Sequence, residues 1–111
     1  MKTTSQQLLR RPNDPPFLLL TSLASGAKHG HALLKDVEEF AGVTLSPGTL
    51  YGAITRLEES GLIEPLDEVD RRRPYRLTAS GAQVLREVTS EMRRLSDVSA
   101  SRLRLATGGA Q

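Results

Sequence analysis

The stretch SPGTLYGAITRLEESGLIEPLDEVDRRRPYRLT, residues 46–78, decides the fold. Ser46-Pro47 is a helix start. Serine offers a capping oxygen, and proline suits the first helical position, where its missing N–H leaves no bond unmade. Leu50, Ile54 and Leu57 recur at helical spacing, and Gly61 stops the run. Residues 62–66 read as a short strand in which Pro65 marks an edge or an end. A polar turn over 67–70 leads to a returning strand over 73–77, so the segment is a helix followed by a hairpin. Thr78 then stands where a further helix would be capped.

Moving towards the N-terminus, Gly42 is placed as a C-cap glycine for a helix over about 31–40. That helix turns Leu33, Leu34, Val37 and Phe40 to the core and Asp36, Glu38 and Glu39 to solvent. Before it, Asp14-Pro15-Pro16 reads as another helix start, with Asp14 as the cap. Phe17, Leu18, Leu19, Leu20 and Leu23 are apolar on nearly all sides, as in a helix buried on more than one face. Ser25-Gly26 is expected to end it. Beyond Thr78, Leu85, Val88, Met92 and Leu95 follow a three-four spacing, which Val98 and Leu105 extend.

The expected fold class is therefore mainly α with a small β-hairpin (α+β): a winged helix-turn-helix carrying a long C-terminal dimerisation helix. The expected organisation is an N-terminal arm over 1–13, a winged domain over 14–77, a dimerisation helix over 78–105 and a disordered tail over 106–111. One compact domain is what 111 residues accommodate.

Helix-turn-helix followed by a β-hairpin wing is a DNA-reading architecture, with the second helix of the pair entering the major groove. With Leu50, Ile54 and Leu57 facing inward, Thr49, Gly52, Thr55 and Arg56 lie towards the other side. Ser46, Gly48 and Thr49 are small enough to let the helix start approach a phosphate backbone, where free N–H groups favour an anion. Tyr51 can add a phenol hydroxyl. On the hairpin, Arg71, Arg72, Arg73, Tyr75 and Arg76 are placed to reach an adjacent minor groove and its phosphates. The bland reading is a solvated turn, because Asp67, Glu68 and Asp70 stand just before these arginines. A helix projecting beyond a small domain leaves its apolar seam uncovered, so a second copy is the expected cover for Leu85, Val88, Met92, Leu95, Val98 and Leu105.

The run Pro47-Gly48-Thr49-Leu50-Tyr51, with Arg56-Leu57-Glu58 and Gly61-Leu62-Ile63, resembles the PadR family of bacterial transcriptional regulators. Arg72-Arg73-Pro74-Tyr75-Arg76-Leu77-Thr78 and Gly81 add to the likeness, which covers about residues 17–85. The single final helix is similar to the compact branch of that family. The resemblance implies a winged-helix homodimer that usually represses genes and in some members is released by a small molecule. It implies DNA contacts from Thr49, Tyr51 and the arginines near Arg72. Two departures stand out: Gly30-His31 where the family often has Gly-Tyr, and a wing tip without glycine.

Other classes fare worse. There is no cysteine, hence no disulfide, thiolate site or thiol nucleophile. His29 and His31, two apart at a helix start, read as surface or capping residues. The pairs Glu38-Glu39 and Glu58-Glu59 diverge around their helix axes, and no phosphate-cradling glycine loop is present, so no enzyme activity and no cofactor or metal is expected. The longest apolar run, at 17–20, is too short to span a bilayer, and the N-terminus lacks a secretory pattern. No membrane partner is expected, and the expected location is the cytoplasm. The expected partners are double-stranded DNA and a second copy, with a small apolar effector as a further candidate. The rival reading is a winged-helix dimerisation module that binds protein and does not read DNA.

Overall fold

The computed structural model describes residues 14–108. The arm over 1–13 and the last three residues of the tail lie outside that range. The elements are α1 (Pro15–Leu23), β1 (Lys28–His29), α2 (Gly30–Ala41), α3 (Pro47–Glu59), β2 (Ile63–Pro65), β3 (Pro74–Leu77) and α4 (Ala79–Leu103). A π-helical turn, Arg104–Gly108, carries the winding of α4 beyond residue 105.

The local signals for the helix starts and stops operate largely as chemistry dictates. Ser46 Oγ accepts the Thr49 N–H at 3.1 Å and Thr78 Oγ1 accepts the Gly81 N–H at 3.0 Å, so both helices start on side-chain caps. Gly42 ends α2 at φ 68°, a left-handed conformation that favours glycine. Asp14 departs from the expectation: it precedes α1, but its side chain makes no capping bond. The end of α1 also comes earlier than Ser25-Gly26, at Leu23, because the N–H groups of Ala24, Ser25 and Gly26 fold back onto its last carbonyls.

The core is built where three helices and the sheet meet. Leu18, Leu19, Leu20 and Leu23 of α1 pack with Leu33 and Val37 of α2, with Leu50, Ala53, Ile54 and Leu57 of α3, and with Ile63 of β2. Burying each large aliphatic side chain contributes about 1.5–3 kcal/mol, which explains why α1, apolar on nearly all sides, sits centrally. Phe40 does not join this core. It is exposed near the end of α2, past the last buried position, Val37. Asp36 is not a solvent-facing residue either. It is half-buried and accepts a hydrogen bond from the buried Ser22 hydroxyl at 2.6 Å, tying α2 to the end of α1. Lys28 Nζ donates to the Ser22 carbonyl and to Ser25 Oγ, closing the same end with a cation where the helix dipole favours one.

The sheet has three strands, not two, in the order β1-β3-β2 and antiparallel throughout. Lys28 pairs with Tyr75 and His29 with Pro74, so the short segment ahead of α2 is stitched to the wing. The start of α4 is locked to the other side of the hairpin. Thr78 N–H donates to the Leu62 carbonyl at 3.1 Å, Thr78 Oγ1 donates to the Gly61 carbonyl at 2.7 Å, and Gly81 is buried against the same Leu62 carbonyl. At about 1.5 Å per residue, α4 is roughly 37 Å long. Leu85 packs against the core and Val88 is buried, whereas Leu95, Val98, Leu103 and Leu105 stand exposed.

Candidate nucleic-acid interface

The wing and α3 meet at a cleft of about 230 Å³ lined by His29, Gly30, His31, Tyr51, Arg71, Arg72, Arg73 and Tyr75. The sequence motif and the arginine run, twenty residues apart in the chain, are thus brought onto one surface. β1 makes this possible, because its pairing with β3 holds the start of α2 against the wing.

On α3, Ser46, Gly48 and Thr49 are exposed at the N-terminal end. The hydroxyls of Ser46 and Thr49 also bond to each other at 3.0 Å. A side chain at Gly48 would point into open space. Thr55 turns its hydroxyl back to the Tyr51 carbonyl at 2.9 Å, while Arg56 is exposed on the same helix. Tyr51 is about half exposed, and its hydroxyl end lies against Gly30. The phenol therefore belongs to the cleft and not to the free outer surface of α3.

The wing arginines differ in what they are free to do. Asp70 and Arg71 form the tip, at φ 52° and 64°, between the mutually hydrogen-bonded Val69 and Arg72. Two successive positive φ values are what a type I′ two-residue hairpin turn requires, and here residues other than glycine supply them. Arg71 projects from that tip with no hydrogen-bond partner among the described residues. Arg73 donates to the Leu66 carbonyl at 2.7 Å, bracing the hairpin. Arg76 donates twice to Glu64 Oε2, at 2.9 and 2.6 Å, directly across the strand pair. Its charge is thereby matched, and it stands apart from the cleft residues. Tyr75 is half-buried behind the arginines. Burial pushes its phenol above the usual tyrosine range, with the Glu58 carboxylate and Tyr51 adding to the shift and Arg73 opposing it.

His29 and His31 are the residues that reading the sequence left out of the site. His29 caps α2, accepting the Ala32 N–H on Nδ1 at 3.3 Å. Its Nε2 faces Arg72 Nη1, also at 3.3 Å. The two imidazoles stack, with ring centroids 6.5 Å apart and planes inclined by 13°. The signal available in the sequence was the His-Gly-His spacing around a residue that must be small.

Residues 19–87 match the model of the transcriptional regulator PadR-like family. The chain belongs to this family. Among PadR-family structures, it is similar to a transcriptional regulator from Eggerthella lenta at 32% identity, with 90% of each chain covered and a TM-score of 0.70. It is also similar to a regulator from Clostridium difficile R20291 at 27% identity, covering 79% of this chain and 96% of that one, with a TM-score of 0.71. Among curated proteins, a 37.1 kDa protein of transposon TN4556 from Streptomyces fradiae is 44% identical over 86 residues, 78% of this chain and 25% of that protein. The transcriptional activator GvpE2 of Halobacterium salinarum is 35% identical over 71 residues, 64% of this chain and 36% of that protein. The chain thus spans well under half the length of these curated relatives. Among the described residues, no helix is long and apolar enough to cross a membrane, and no group of three metal-capable side chains converges.

Proposed function

We propose that this PadR-family protein is a sequence-specific DNA-binding regulator that acts as a homodimer on a palindromic operator. The observation that carries this reading is the shared cleft. It sets Tyr51 of the recognition helix α3 beside Arg71, Arg72 and Arg73 of the wing, with no acidic side chain in its lining. A duplex presented to α3 would place backbone phosphates against these cations, while Ser46, Gly48, Thr49, Thr55 and Arg56 stand exposed along α3.

The dimer rests on α4. Leu95, Val98 and Leu105 are exposed large apolar residues on a helix that runs past its own core, and Met92 leads into them from the half-buried part. Two copies joined along this seam would present two α3 helices related by a two-fold axis, matching a palindrome. Repression is the proposed sense on the ground of the family resemblance alone; the relative GvpE2 is named an activator. A small apolar effector has a place to act. A hollow of about 680 Å³ between α1 and α4 is lined by Ala24, Leu77, Ala82 and Leu85 and flanked by Arg86 and Arg93, within the size range of small-molecule sites.

The test is fluorescence anisotropy with a labelled duplex from upstream of the protein's own gene, beside a scrambled duplex, at two salt concentrations. Tight binding to the native duplex that survives higher salt supports the reading. No salt-sensitive binding to either duplex would instead support a protein-interaction module.

A further inference from the structure

The hydrogen-bond inventory around His29 does not balance. Its ring meets two donors, the Ala32 N–H at Nδ1 and the Arg72 guanidinium at Nε2, each at 3.3 Å. A neutral imidazole has one accepting nitrogen, and arginine has no acceptor at all. With Nδ1 committed to the cap of α2, Nε2 carries the proton, and two N–H donors confront each other. The pair lacks a shared acceptor. His31 stacks beside His29 and opens to solvent on the same cleft.

We propose that His29, His31 and Arg72 together hold one phosphate diester of a bound duplex, with His29 as the neutral ring that caps α2 and the exposed His31 taking up a proton as the phosphate is seated. This deepens the DNA-binding reading and rests on it. A phosphate oxygen between His29 Nε2 and Arg72 Nη1 accepts from both, turning an unsatisfied contact into two charge-assisted hydrogen bonds. The charged groups facing the pair favour an anion. Arg71, Arg72 and Arg73 approach from the wing, and Lys35 lies one turn further along α2. Tyr51 faces the pair from α3 and Tyr75 from β3, both as phenols. A carboxylate, Asp70, shares a neighbouring hollow with His29 and Arg72. Glu58 acts on Tyr75 from behind.

Histidine is the side chain whose charge changes between about pH 5 and 8. The chain has 2 histidines, both in this cleft, so a pH slope is assignable to them. The experiment measures affinity for a labelled random-sequence duplex at low salt, where phosphate contacts dominate, at about pH 6 and about pH 8. The variants are His29→Asn, which keeps a good helix cap, His31→Gln at an exposed position, and both together. Wild-type affinity should rise about tenfold on acidification, the sense expected when a histidine gains charge beside a phosphate. The double variant should be flat in pH and bind more weakly than wild type at both ends, with an unchanged thermal melt.

A slope that persists in the double variant, as it would if the terminal amine were responsible, overturns the proposal while leaving DNA binding intact. A wild-type protein that binds duplex with no slope does the same. Failure of wild type to bind any duplex overturns both readings. Inorganic phosphate at matched ionic strength that displaces the duplex in a histidine-dependent way would assign the site to a free anion and overturn the diester.

Discussion

The hydroxyl of Tyr51 lies where a side chain at Gly30 would have to stand: a Cβ built there overlaps the hydroxyl and comes within 2.9 Å of the ring carbon that bears it. This contact joins α3 to the start of α2, and it explains a glycine at a helical position where alanine has the better propensity.

Gly30→Ala should destabilise the protein by about 1–3 kcal/mol through overpacking. Because Tyr51 is half exposed, its ring can swing aside, which favours the lower end of that range. In a Tyr51→Ala background the same substitution should be neutral or stabilising, since only the helix propensity gain remains. Denaturant melts of the four proteins in the cycle measure the coupling. Additive effects would contradict the contact.

Gly81 presents the harsher case. An added Cβ would collide with the Leu62 backbone carbonyl and lie 2.8 Å from Leu77 Cδ1. That carbonyl is fixed by the Thr78 N–H and cannot swing as a side chain does. Gly81→Ala should cost about 3 kcal/mol, at or beyond the upper end of ordinary overpacking. It should lower the thermal midpoint far more than Gly30→Ala does.

At the wing tip, Arg71 occupies a left-handed conformation that costs an ordinary residue about 1–2 kcal/mol. Arg71→Gly should stabilise the fold by up to about that amount while removing a free cation. Under the proposed reading, duplex affinity should fall, and the slope of log affinity against log salt should become shallower by about one unit. Melting curves and a salt titration read the two effects separately. Gain in one and loss in the other is the expected signature.

On α4, Leu95→Glu places a charge in the exposed apolar seam without disturbing Leu85 or Val88, which face the chain's own body. Burying that charge in a dimer is costly. For the proposed dimer, sedimentation should show a shift from dimer to monomer with circular dichroism unchanged. An unaltered profile would remove Leu95 from the interface.

The parts of this fold that local chemistry dictates were legible in the sequence. Ser46, Pro47, Gly42 and Thr78 mark helix ends because capping is decided within a few residues, and Leu50, Ile54 and Leu57 mark a buried face by period alone. What escaped depends on distant partners. β1 is a two-residue strand with no alternation to detect, and it exists only because the wing returns beside it. Asp36 reads as a solvated acid until Ser22 is brought to it. Phe40 reads as core until the helix is seen to carry it past the last layer. In the candidate site, Tyr51 and Arg71 to Arg73 could be picked out by residue type. The withdrawal of Arg76 into a pair with Glu64 follows from strand register, and the entry of His29 follows from β1.

The strand order β1-β3-β2 has a consequence for solubility. An open sheet edge invites pairing with another chain, and that is how small β-containing proteins aggregate. Here the longest strand, β3, is enclosed on both sides. One outer edge is two residues long and runs straight into a helix. The other is three residues long and ends in Pro65, which has no N–H to offer. The wing can thus remain out in solvent, carrying its arginines, without templating fibrous growth. Under the proposed reading, self-association is left to the helical surface of α4, where it can close on itself.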